Sequence, residues 1–143
     1  VAVFRDEDLR ATGQRYGVTA IYVFGSRAAE ITGRMPDRGG SGELDDSDVD
    51  IAVQLPRGRH LTARERVRLA IELEDLFGGR RVDLIVLPEA DPFLALDVIR
   101  GDLLYCADAD AQAEDELYIL RRAGDLAHYA RERHRQILTG EAR

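Results

Sequence analysis

The chain has 143 residues, 45% hydrophobic and 33% charged, which is enough for one domain (1–143) with a real core and excludes both a disordered chain and two independent domains. Its apolar runs are too short to span a bilayer and Val1 to Asp6 lacks the basic and apolar regions of a signal peptide, so the expectation is a soluble, cytoplasmic protein without membrane association. A net charge of −7 disfavours a nonspecific nucleic-acid binder; the lone Cys106 excludes an internal disulfide and reads as a small buried hydrophobe. All 20 basic residues are arginine, which removes any mechanism that needs an ammonium group.

Asp6 to Tyr16 reads as a short helix, and Val18 to Phe24, β-branched and aromatic, as the first strand. Gly25-Ser26 ends that strand, and Arg27 to Thr32 begins a helix whose free backbone N–H groups point back at the turn. Residues 33–46, with four glycines and a proline, read as a long exposed loop. Asp48 to Gln54 is the second strand. Thr62-Ala63-Arg64-Glu65 has the form of a capping box opening a helix that presents Val67, Leu69, Ala70, Leu73, Leu76 and Phe77 at helical spacing.

Gly78-Gly79 stops that helix, and Arg81 to Leu87 is the third strand. Asp91-Pro92 supplies an N-cap followed by proline at the first helical position, for a helix ending at Gly101. Leu103 to Tyr105 is a short fourth strand. From Ala109 to about Leu138 the chain reads as one long helix, acidic near its start and basic near its end, with Tyr118, Leu120, Leu126 and Tyr129 expected to pack inward. The core of the domain is thus expected over 6–106, followed by the C-terminal helix over 109–138.

Side chains on a strand alternate faces, so Asp48 and Asp50 project to one side, about 7 Å apart along the strand, and Val49 and Ile51 to the other. Asp83 opens a further apolar run, Leu84 to Leu87. Three acids converging from adjacent strands are costly to hold together without a divalent cation, and oxygen ligands with no Cys or His beside them point to Mg²⁺ or Mn²⁺. Gly25 permits close backbone approach to a phosphate, and the Ser26 hydroxyl and N–H both donate to phosphate oxygens. Taken alone, the acids fit a polar loop and an Asp83–Arg81 pair equally well. The ordered combination of a strand with Gly-Ser, a strand with Asp-x-Asp and a strand with Asp is far more specific. An EF-hand loop starting at Asp46 fails at Ile51, where glycine is required, and at Arg57, where glutamate is required; lysine-dependent phosphate sites fail for want of lysine.

The stretch from Ile21-Tyr22-Val23-Phe24-Gly25-Ser26-Arg27-Ala28 through Ser47-Asp48-Val49-Asp50-Ile51-Ala52-Val53 to Val82-Asp83-Leu84-Ile85 resembles the minimal nucleotidyltransferase domains of the DNA polymerase β superfamily, including antitoxins encoded beside HEPN-domain toxins. The resemblance implies an α/β (α+β) nucleotidyltransferase fold, a small mixed sheet flanked by helices. It implies that Gly25, Ser26 and Arg27 hold a nucleoside triphosphate, that Asp48 and Asp50 with Asp83 bind two Mg²⁺ ions, and that Asp83 helps to position and deprotonate the acceptor hydroxyl. The implied activity is transfer of AMP from ATP to a tyrosine of a HEPN toxin, in a homo- or hetero-oligomer. A noncatalytic nucleotide-binding antitoxin acting by occlusion and an antibiotic nucleotidyltransferase are the competing readings. Two departures stand out: Ala29-Glu30 replaces the family's usual Arg-Gly, for which Arg34 or Arg38 are candidate substitutes, and 21 residues separate Ser26 from Asp48, a gap lengthened by the Gly33 to Gly42 insertion.

Overall fold

The structure, a computed structural model, describes residues 4–32 and 48–139. Its elements in chain order are α1 (Asp6–Tyr16), β1 (Ala20–Phe24), a 3-10 turn (Gly25–Arg27), α2 (Ala28–Thr32), β2 (Val49–Gln54), α3 (Ala63–Leu76), β3 (Val82–Val86), a second 3-10 turn (Leu87–Glu89), α4 (Pro92–Ile99), β4 (Asp102–Cys106) and α5 (Ala109–Thr139). The strands form one mixed sheet in the order β3-β2-β1-β4. β1 runs antiparallel to both its neighbours, while β2 and β3 are parallel, as the helical crossover through α3 requires. The expected loop over 33–46, with Arg34 and Arg38, lies outside the described residues.

All five residues of β1 are buried, because the central strand is covered on both faces. Ile21 and Val23, with Val49, Ile51 and Val53 of β2, pack on one side against Leu9 of α1 and Leu69, Leu73 and Phe77 in and just after α3. Ala20, Tyr22 and Phe24, with Ala52, pack on the other against Ala95 and Val98 of α4 and Ile119 of α5. Cys106 is half-buried against this second cluster. The period-2 alternation of the strands therefore separates two hydrophobic layers, and Asp50, in phase with Ala52, falls on the α4/α5 face.

Local chemistry fixes the helix ends. Thr62 Oγ1 accepts from the Glu65 N–H at 3.1 Å and the Glu65 carboxylate accepts from the Thr62 N–H at 2.9 Å, a complete capping box. The Asp91 carboxylate accepts from the N–H groups of Phe93 and Leu94 at 2.9 and 3.0 Å, ahead of Pro92 at the first helical position. At the end of α4, a Cβ on Gly101 would collide with the Val23 carbonyl oxygen and crowd Phe24, so only glycine lets the chain turn into β4 this close to β1.

Two packing expectations are corrected. Val67 is exposed, because α3 buries Leu69, Leu73 and, just past its end, Phe77, and a residue two positions before Leu69 lies on the opposite side of the helix. Tyr118, Leu120, Leu126 and Tyr129 do not pack inward: α5 docks through Gln112, Glu116, Ile119 and Ala123, a stripe at four- and three-residue steps, and no described residue after Ala123 is buried. The long helix outruns the body that it packs on.

Candidate functional site

β1 ends where β2 begins. In the antiparallel register Phe24 lies opposite Asp50, so the turn that follows Phe24 is delivered to the Asp-x-Asp segment across the sheet. Gly25 takes φ +78°, in the left-handed region, and a Cβ there would collide with Asp50 Oδ2. The Gly-Ser turn and the carboxylate strand, 21 residues apart in sequence, are thereby in van der Waals contact. Ser26 is exposed beside them, and a 3-10 turn carries the backbone into α2, whose first residue, Ala28, donates its N–H to the Gly25 carbonyl. The expected helix over 27–32 is thus shorter, opening as a 3-10 turn.

The parallel pairing of β2 with β3 places Asp83 directly opposite Asp50. Residues opposite one another in a sheet share a face, so these two side chains point the same way from adjoining strands. Asp48, just before β2, and Asp83, on the edge strand, are exposed; Asp50 is half-buried between them. Burial pushes the Asp50 carboxyl above the usual carboxylate range, and the negative charges of Asp83 and Asp48 push it further in the same direction. The three acids thus interact electrostatically with Asp50 at the centre. They are not drawn to one point: among the described residues no three Asp, Glu, His or Cys side chains are close enough to form a closed metal cage. The donor set nonetheless suits a hard divalent cation: carboxylate oxygens from two strands, two of them open to solvent and the third held in excess negative charge.

The support of this face leaves little trace in the sequence. Tyr22, one alternation along β1 from Phe24, donates its hydroxyl proton to Glu116 Oε2 at 2.9 Å and accepts from Gln112 Nε2 at 3.3 Å, while Gln112 also reaches Glu116. Burial first, and then the bond to Glu116, raise the Tyr22 phenol far above its ordinary value. This network ties α5 to the central strand. Its only sequence signal is a tyrosine inside an apolar strand, which by itself predicts a buried hydroxyl in need of a partner. At the far end of the same sheet face lies a cleft of about 590 Å³ lined by Gln54, Arg57, Leu87, Asp115, Tyr118 and Arg122 among others; none of the three acids lines it. His60 is exposed at its edge.

A mixed sheet that brings a Gly-Ser turn against an Asp-x-Asp strand, with a third acid in register on the next strand, defines the class of the protein. The chain belongs to the polymerase beta nucleotidyltransferase family, whose family model matches residues 7–110. Among solved structures it is similar to a chain of a toxin–antitoxin crystal structure with AMP-PNP, at 24% identity and a TM-score of 0.61 over 97% of this chain and 100% of that one. It is also similar to a chain of a tri-AMPylated Shewanella oneidensis HEPN toxin in complex with its MNT antitoxin, at 23% identity and a TM-score of 0.57 over 96% of each. A chain of the MntA–HepT toxin–antitoxin crystal structure matches at 23% identity and a TM-score of 0.57, over 96% of this chain and 97% of that one. At these identities the likeness is one of fold. A comparison with curated proteins yields no match.

Proposed function

We propose that residues 1–143 form one nucleotidyltransferase domain that moves AMP from ATP onto a hydroxyl of a partner protein, a tyrosine of a HEPN toxin, and so acts as its antitoxin. The observation that carries the reading is the register: Asp50 opposite Asp83 on adjoining strands, with Gly25 against Asp50. Family membership supports nucleotidyl transfer, and the likeness to toxin–antitoxin complexes, one holding AMP-PNP and one a tri-AMPylated HEPN toxin, supports the donor and the acceptor.

In this reading Asp48, Asp50 and Asp83 would hold two Mg²⁺ ions, with Mn²⁺ as a substitute. When bound, these would supply charge stabilisation to the attacking and leaving oxygens. The residues of the chain orient the rest. The Gly25 and Ser26 backbone and the Ser26 hydroxyl donate to the triphosphate oxygens, with Arg27 as a cationic neighbour in sequence. Asp50, half-buried, fixes the floor of the site. Asp83, exposed on the edge strand, is open to an incoming hydroxyl and takes its proton as the oxygen bonds to the α-phosphorus, while the α–β bridging bond breaks and pyrophosphate leaves.

Incubation with ATP, Mg²⁺ and the HEPN partner, followed by intact-mass and peptide mass spectrometry, is expected to show one or more AMP increments on a partner tyrosine. Asp50→Asn is expected to abolish them. Neutralisation of the toxin by Asp50→Asn at wild-type level, with no increment on the partner under wild-type conditions, would instead establish occlusion.

A further inference from the structure

Along most of its length α5 carries a second seam beside the stripe that docks on the domain. Asp110, Ala113, Leu117, Leu120, Gly124, Ala127, Arg131 and His134 follow one another at alternating three- and four-residue steps, the spacing of a helix–helix seam. Ala113, Leu117, Leu120 and Gly124 each lie one position after a docking residue, about 100° around the helix from Gln112, Glu116, Ile119 and Ala123, so over the docked half the seam runs along an exposed flank of α5. Leu117 and Leu120 are 51% and 49% exposed, and around Gly124 a Cβ would meet no atom within 4 Å.

The order of residue types along the seam is self-complementary when a copy is laid against it head to tail. In the antiparallel register that pairs Leu120 with Gly124, Leu117 lies opposite Ala127, Ala113 opposite Arg131, and Asp110 opposite His134. Large side chains thus meet small ones. Each acidic end, Asp110 with Glu114, meets the basic end Arg131, His134 and Arg135 of the other helix. A two-fold axis generates every such contact twice, which is the condition for a closed pair rather than an open chain of molecules. The opposite charges at the two ends also complement the macrodipole of a solitary helix, but the dipole makes no demand on the seam between them. Nothing in a solitary helix calls for exposed leucines ten or fewer residues from an exposed glycine and a half-buried alanine on one line.

We propose that two copies of this chain associate through an antiparallel pairing of their α5 helices along this seam. The full chain is expected to sediment at twice its monomer mass at concentrations up to about 200 µM, with weaker association at high salt. Leu117→Asp with Leu120→Asp is expected to give a monomer with unchanged circular dichroism, since both positions are solvent-facing. Two charge reversals make the register itself testable. Asp110→Arg with Glu114→Arg, and Arg131→Glu with Arg135→Glu, are each expected to be monomeric alone and to form a one-to-one dimer when mixed. A wild-type chain that remains monomeric across that range overturns the proposal, including one whose seam is then found covered by the HEPN partner. So does a dimer that survives both the leucine and the charge variants, or charge variants that fail to pair on mixing.

Discussion

Gly25→Ala tests the contact on which the site is built, and Gly58→Ala provides its control. Both glycines hold left-handed backbone, φ +78° and +82°, so alanine costs the same conformational strain at either, about 1–2 kcal/mol. They differ in surroundings: a Cβ at Gly58 meets nothing within 4 Å, whereas one at Gly25 collides with Asp50 Oδ2. Relief requires Asp50 to leave its rotamer or the turn to withdraw from β2, a further cost of about 0.5–1.5 kcal/mol. For a chain of this length each kcal/mol moves the melting temperature by roughly 3 °C, so Gly58→Ala is expected to lower it by about 3–6 °C and Gly25→Ala by an additional 2–4 °C. The sharper expectation concerns divalent cation. Thermal melts with and without Mg²⁺ or Mn²⁺ should show cation stabilisation retained in Gly58→Ala and diminished in Gly25→Ala, because only the latter displaces Asp50, a proposed ligand. Equal melting temperatures and equal cation responses in the two variants would refute the claim that the turn and Asp50 are in contact.

Two further outcomes follow from the electrostatics of the carboxylate face. Asp50 is held above the usual carboxylate range in the folded chain, so its contribution favours the fold below about pH 4 and is lost as pH rises through the folded value; at neutral pH the charged group costs stability. Asp50→Asn is therefore expected to raise the neutral-pH melting temperature without added metal, flatten the pH dependence above pH 4 and abolish nucleotidyl transfer; a lower melting temperature would count against the repulsion. Tyr22→Phe removes the hydroxyl between Gln112 and Glu116 and is expected to cost about 1–2 kcal/mol in urea titrations. Because the Tyr22 phenol is raised when folded, the unfolded chain releases its proton first above about pH 10, so stability falls with rising pH there. That alkaline slope should shrink in Tyr22→Phe, and a slope equal to wild type would sink the assignment.

The elements and the sheet were legible at different levels. Local rules placed α1 at Asp6–Tyr16 and read the Thr62–Glu65 capping box and the Asp91-Pro92 start as they stand, because caps and periodicity depend on residues within a few positions of one another. The strands came out two residues shorter than the expected runs Val18 to Phe24 and Arg81 to Leu87, since a ladder ends where its neighbour ends. Tyr118, Leu120, Leu126 and Tyr129 show the opposite failure. A helical stripe records which side of a helix is apolar, not how far the partner surface extends.

The residue types of the candidate site were fixed by the sequence alone: glycine and serine at a strand end, two aspartates in one strand phase, a third aspartate heading another strand, and no lysine anywhere to support a different phosphate chemistry. Strand alternation suffices to put Asp48 and Asp50 on one side, because that geometry is local. What the tertiary structure decided is which of these groups meet. Antiparallel pairing of β1 with β2 sets Gly25 against Asp50, and parallel pairing of β2 with β3 sets Asp83 opposite Asp50. Those contacts depend on register between segments distant in sequence, and register is set by the burial of both faces of the sheet, a property that no single segment possesses.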